Sequence, residues 1–238
     1  MLDWEALKSA FQRLGLLPYI AVIVLTTLTH IILGLRWNLL IRKIAILPAY
    51  QHVQQYLLAN FFNSFTPAEI GGDVYRYVAL RKTADTSHQL ITVLLRERAI
   101  GALIYGAIYI VCLILFYLQS PAILDGEGFV LFGIGAVLLF ALIAFYPSIF
   151  LLKWIENKTP TRNDKIKKLI SMTQEVFNLG DAETLFKIIV LSVFSAVLWI
   201  ISVKIIAVDL GSPVSIFALA VLAIAVDFNR FVPVTVQG

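Results

Sequence analysis

Apolar positions along this chain come in long continuous blocks, and charge is confined to the gaps between them. No Asp, Glu, Lys or Arg occurs in 14–35, 44–68, 99–124, 128–152, 188–203 or 210–226. Four of those windows hold 22 or more residues. A helix needs about 20 apolar residues, rising 1.5 Å each, to cross roughly 30 Å of hydrocarbon. The pattern predicts an all-α, polytopic transmembrane helical bundle. Spans are expected at about 16–35, 99–118, 129–152 and 185–207, with a last apolar stretch at about 214–236. A transmembrane barrel is disfavoured, because its strands would alternate apolar and polar residues.

Composition sharpens this picture. Of the 238 residues, 60% are hydrophobic and 14% charged. An ordinary soluble chain is roughly 45–50% apolar and about 25% charged. A soluble enzyme, a nucleic-acid-binding domain and a disordered tail are excluded. The formal charge of +4 then reads as basic loops beside anionic lipid heads, not as a nucleic-acid surface. Segment 36–98 carries eight Lys/Arg and 153–184 carries six, whereas 119–128 and 208–213 carry none. By the positive-inside rule the first two are cytoplasmic and the last two face outward, which puts the N-terminus outside. The expectation is a multi-pass protein of the cell (inner) membrane, with 1–238 as a single integral membrane domain. Trp4, Leu7, Phe11 and Leu14 share one helical face and suggest a short interfacial helix before the first span. In the cytoplasmic loop 153–184, Ile166, Leu169, Ile170, Thr173 and Phe177 suggest an amphipathic helix docked on lipid heads.

One charge-free window does not fit a simple span. Residues 44–68 include Gln51, His52, Gln54, Gln55, Asn60 and Asn63, with Pro48 and Pro67. Both flanks, Arg42-Lys43 and Arg81-Lys82, are basic and belong on the same side. That parity demands zero crossings or two. A re-entrant hairpin of two half-helices turning at Pro67–Gly72 is the economical solution; an amphipathic segment on the cytoplasmic surface is the alternative. Irregular backbone at membrane depth survives only where protein or a wet cavity shields it, so such a turn is a candidate site.

The chemistry-bearing residues cluster there. Pro67 breaks a helix, and Gly71-Gly72 permits close backbone approach. Asp73 stands where a new helix would start, and Arg76 follows at i+3 on the same face. A broken helix, a positive dipole end and an arginine suit an anion such as a phospholipid phosphate. The same residues also fit a plainer role, with Asp73 capping the helix and Arg76 snorkelling to the interface. Glu97 and Arg98 gain interest from their place beside the hairpin. In the last stretch, Asp227 and Arg230 are spaced i, i+3 at membrane depth, where charges pair or line a pathway. Lys204 is expected to snorkel. His30, His52 and His88 are scattered and Cys112 stands alone, so no metal-ligand spacing, catalytic motif or cofactor-binding motif emerges.

Asn63-Ser-Phe65-Thr-Pro67 recurs as Asn229-Arg-Phe231-Val-Pro233, with Gly72 and Gly238 each five residues beyond the proline. Two interrupted segments entered from opposite sides are the mark of an inverted repeat. Because the chain stops inside the second copy, it is expected to be a C-terminally truncated piece.

At these residues the chain resembles the transmembrane region of lysylphosphatidylglycerol synthases and their stand-alone, flippase-like relatives. The likeness is carried by Arg36-Trp37, by the N-x-F-x-P-x3-G-G-D-x2-R run from Asn63 to Arg76, by Glu97-Arg98-x2-Gly101, and by a second motif beginning at Pro233. The family's second motif usually has more glycine and a following Glu, positions absent here. Members that make aminoacylated phosphatidylglycerol carry a separate aminoacyl-transferase domain, which 1–238 does not contain, so the resemblance implies lipid handling rather than synthesis.

The leading expectation is therefore a non-enzymatic protein that binds and translocates an anionic or aminoacylated phospholipid or a lipid-linked precursor. The phosphate would sit on Arg76 and the Gly71-Gly72 backbone. The alternatives are a membrane transferase, or transferase subunit, acting on lipid-linked sugars, and a scaffold binding a partner through 153–184. Partnership as a homo-oligomer or with a lipid-modifying enzyme is left open.

Overall fold

The computed structural model describes residues 15–66, 70–83, 87–119 and 181–228. The regular elements there are six helices: α1 (Leu16–Ile41), α2 (Ala49–Asn63), α3 (Ile70–Leu80), α4 (Ser87–Gln119), α5 (Ala182–Asp209) and α6 (Ile216–Phe228). Pro67, the interfacial helix expected before Leu16, the span 129–152, the helix expected in 153–184 and the motif copy from Asn229 to Gly238 lie outside the described residues. The inverted-repeat expectation depends on that copy and lies outside them too.

Among the described residues three helices are long and apolar enough to cross a membrane: Leu16–Ile41, His88–Gln119 within α4, and Ala182–Asp209. Two of them overrun their expected bounds. The first span continues past Arg36-Trp37 to Ile41 because Arg36, Trp37, Leu40 and Ile41 are all buried and nothing in that run breaks a helix. Helix α4 begins at Ser87, about a dozen residues before the apolar window, and so draws Arg96, Glu97 and Arg98 into a helix interior. Local chemistry sets the ends. Asp181 caps α5 by accepting from the Thr184 amide at 3.0 Å and the Thr184 hydroxyl at 2.8 Å. Gly211 ends α5 at φ 76°, while Ser212 N–H reaches back to the Ala207 carbonyl and Gly211 N–H to that of Val208, the double bond of a Schellman turn. Lys204, expected to snorkel, instead donates to the Val214 carbonyl at 2.7 Å and ties the following loop to its own helix.

Helices α1 and α5 run antiparallel and are fastened at both ends. Gly15 N–H donates to Asp209 Oδ2 at 2.8 Å, and Lys43 Nζ meets Asp181 Oδ1 at 3.4 Å. Two apolar clusters hold the rest. Trp37, Ile41, Leu80, Leu90, Val93 and Ile188 join α1, α3, α4 and α5. Tyr109, Leu113, Ile200, Val221 and Ile224 join α4, α5 and α6, with Cys112 buried among them. On α4, Gly101 and Tyr105 fall between the two clusters and face a cavity.

Helices α2 and α3 form an antiparallel hairpin. At 15 and 11 residues they are about 22 and 16 Å long, each too short to cross roughly 30 Å. The hairpin has two unlike sides. Leu58, Phe61, Phe65, Ile70 and Val74 are exposed on one, whereas Asn63, Asp73 and Arg76 line the cavity on the other. Phe62 stacks on Tyr75 with ring centres 4.9 Å apart, locking the two helices together near the turn.

Candidate functional site

The cavity of about 450 Å³ is lined by side chains of all six helices, among them His30, Asn63, Asp73, Arg76, Arg98 and Trp199. Asp73, Arg76, Glu97 and Arg98 supply its charged lining, and they belong to a set of polar side chains from four helices that continues away from the cavity into the core. Arg36 comes from α1, Asp73 and Arg76 from α3, Glu97 and Arg98 from α4, and Ser192 from α5.

Their side chains form one continuous ladder. Arg36 donates through Nη1 to Ser192 Oγ at 3.2 Å and through Nη2 to Glu97 Oε1 at 3.3 Å. Arg76 donates through Nη1 to the other Glu97 oxygen, Oε2, and through Nη2 to Asp73 Oδ1 at 2.6 Å. Arg98 Nε donates to Asp73 Oδ2 at 2.6 Å. Ser192 can accept from Arg36 because its own hydroxyl proton goes to the Ile188 carbonyl at 2.8 Å. The Arg76 guanidinium also lies over the Trp37 ring, 4.4 Å from its centre, and 5.5 Å from that of Tyr56. Such cation–π contacts add roughly 0.5–2 kcal/mol, more when water is excluded.

Among the described residues the ladder joins three guanidiniums to two carboxylates. Burial grades along it. The side chains of Arg36, Arg76 and Glu97 are 7%, 7% and 5% exposed, whereas Asp73 and Arg98 are 20% and 30% exposed. The locked end is a buried salt bridge, and the open end faces the cavity. Arg36 Nε and Arg76 Nε, both buried, meet no acceptor among the described residues. A buried unsatisfied donor costs on the order of 1–3 kcal/mol, so each is a standing demand for an acceptor.

The glycines act differently from expectation. Gly72 N–H donates to Asn63 Oδ1 at 2.7 Å and Gly71 N–H to Thr66 Oγ1 at 2.9 Å. The end of α2 thus caps the start of α3, and Asp73 is free to face the arginines instead of capping. A Cβ on Gly72 would press on the Asn63 side chain and stand 2.6 Å from the Ala59 carbonyl oxygen; one on Gly71 would stand 2.8 Å from that of Phe62. Glycine is required because the two helices touch backbone to backbone. Those two amides are spent inside the hairpin, so anion-binding capacity in this cluster resides in the guanidiniums. Arg76, for its part, is buried and does not snorkel.

A comparison with protein families matches the description "lysylphosphatidylglycerol synthase TM region" over residues 1–238. The chain belongs to this family. It is an integral membrane protein of that kind, and the family's TM region is a membrane region, not a catalytic domain. No curated protein and no solved structure matches the chain.

Within this family member the structure brings together Asn63, Gly71, Gly72, Asp73, Arg76, Glu97 and Arg98, all named from the sequence. Pro67 and Arg230 lie outside the described residues, and Asp227 is described only through its backbone at the end of α6, so the Asp227/Arg230 pair is not placed. Two participants went unnamed as site residues. Arg36 stands where a span was expected to end, the usual position of a snorkelling arginine, and its adjacency to Trp37 was the available signal. Ser192 gave none, being one serine of several along α5.

Proposed function

We propose that the cavity receives the phosphate-bearing headgroup of an anionic membrane lipid and moves it across the bilayer. The observation that carries this reading is the pair of guanidiniums on the cavity wall, Arg76 and Arg98, with Arg76 held from behind by the almost wholly buried Glu97. Arg76 and Arg98 are the phosphate-facing groups; planar guanidiniums recognise phosphate oxygens through paired, charge-assisted hydrogen bonds. Arg36 and Glu97 hold Arg76 in place.

Hairpin α2–α3 re-enters the membrane, its apolar side toward lipid and its polar side toward the cavity. The shortness of both helices and the basic flanks at 42–43 and 81–82 support that placement. The protein is multi-pass in the cell membrane, with the N-terminus outside. On α1 the cavity is lined from Val22 to Leu33, about 16 Å of helix or roughly half the hydrocarbon thickness, with Thr26, Thr29 and His30 as its polar part.

The test is a vesicle assay with fluorescent phosphatidylglycerol, scored by how fast the label becomes accessible to a membrane-impermeant quencher. Wild-type protein is expected to accelerate exposure, and Arg76→Gln and Arg98→Gln to bring it near the protein-free rate. Wild-type rates from both variants, each monodisperse in detergent, would rule out the headgroup site.

A further inference from the structure

We propose that Asp73 is a displaceable internal anion. It occupies the seat between Arg76 and Arg98 that the lipid phosphate takes on binding, and its return expels the phosphate. This rests on the headgroup site proposed above and assigns its release step.

The geometry is that of an occupied anion site. The two Asp73 oxygens accept from two different guanidiniums, Arg76 Nη2 and Arg98 Nε, each at 2.6 Å. A phosphodiester offers the same feature, two charged oxygens on one atom, and arginine engages carboxylate and phosphate through the same pairing. Asp73 cannot share this seat with a phosphate without setting two like charges side by side.

The ladder is also built to release at this rung. Glu97 is tied to two arginines at the closed end and has nowhere to turn, its side chain being 5% exposed. Asp73 is 20% exposed, borders the cavity and sits in the first turn of α3, one residue after the glycine pair. Because Asn63 and Thr66 cap α3, the helix start does not depend on the Asp73 carboxylate, which leaves that side chain free to swing. With Asp73 displaced, Arg76 keeps Glu97, so the buried charge is never bare. A transport site must bind well enough to load and weakly enough to unload, and an internal competitor supplies the second half.

Binding of sn-glycero-3-phosphoglycerol to the full chain in phosphatidylcholine nanodiscs tests this. Asp73→Asn, which keeps the shape and removes the competing charge, is expected to bind about tenfold tighter than wild type and to move lipid more slowly. Asp73→Glu, which keeps the charge, is expected to stay within about twofold of wild-type affinity. If Asp73→Asn binds no tighter while Arg98→Gln abolishes binding, Asp73 is a fixed bridge and the displacement proposal fails, with the headgroup site intact. If Arg76→Gln and Arg98→Gln both bind like wild type, the site itself fails. A readout on the unmutated protein covers variants that do not fold: saturating probe is expected to shift an aspartate carboxylate stretch in the infrared difference spectrum. No carboxylate change at saturation would overturn the proposal.

Discussion

Replacing Glu97 by glutamine strikes the ladder where it is most buried. Glu97 gives one oxygen to Arg36 and the other to Arg76, and its side chain is 5% exposed. Glutamine keeps the shape but loses the charge, and it turns an NH2 toward one of two guanidiniums. Arg76 retains Asp73, whereas Arg36 is left with Ser192 alone among its hydrogen-bond partners in the ladder. Breaking a buried pair by neutralising one partner costs about 3–5 kcal/mol. At roughly 2–4 °C per kcal/mol for a chain of this size, the melting midpoint is expected to fall by roughly 6–20 °C. The more discriminating experiment adds Arg36→Gln to Glu97→Gln. The second change removes the stranded charge and leaves two neutral amides able to bond each other. The double variant is therefore expected to melt above Glu97→Gln alone, by an interaction on the order of 1–3 kcal/mol. The assay is differential scanning fluorimetry of the four proteins in nanodiscs. Additive losses, or a double variant below Glu97→Gln, would refute the claim that Arg36 and Glu97 stabilise one another.

Gly72→Ala is expected to prise the hairpin open, since the new methyl would stand 2.6 Å from the Ala59 carbonyl oxygen; a loss of roughly 1–3 kcal/mol should appear in the same melting assay. Trp37→Leu keeps an apolar side chain in the core, at the cost of a cavity, but removes the ring 4.4 Å from Arg76, and is expected to weaken phosphodiester binding while leaving Arg98 contacts in place, as a binding titration would show. At the far end of α5, Asp181 is held well below its ordinary carboxylate range, first by the Thr184 hydroxyl, then by the Thr184 amide and more weakly by Lys43. A depressed folded-state value means stability fully present above the unfolded value of 3.8 and lost as pH falls below it. Asp181→Asn should therefore flatten the acid limb of a melting-versus-pH curve and leave the neutral limb's slope unchanged.

Much of the architecture was legible because charge is so unevenly spaced. Gaps of membrane-crossing length located α1, α4 and α5, since an unpartnered charge in hydrocarbon is costly. The same logic misplaced two helix ends. Arg36 at the end of α1 and Arg96 early in α4 read as interfacial, and Glu97 and Arg98 drew interest only from their place beside the hairpin, yet Glu97 pairs with Arg76 across 21 residues and with Arg36 across 61. Such distant neutralisation leaves no periodic trace. The Gly-Gly pair marked the place where α2 and α3 meet, for an incomplete reason. Gly71 and Gly72 looked like free amides awaiting an anion, whereas their requirement is contact with α2, and Asn63, named only as part of the motif, turns out to be the cap.

The ladder's span along the chain has a consequence for biosynthesis. Arg36 emerges 61 residues before Glu97 and 156 before Ser192. At about 5–20 residues per second, the first partner arrives roughly 3–12 s later and the second roughly 8–31 s later. Throughout that interval α1 carries a guanidinium that neither Glu97 nor Ser192 has yet met. The nascent first helix therefore waits for α4 and α5 before Arg36 meets Glu97 and Ser192.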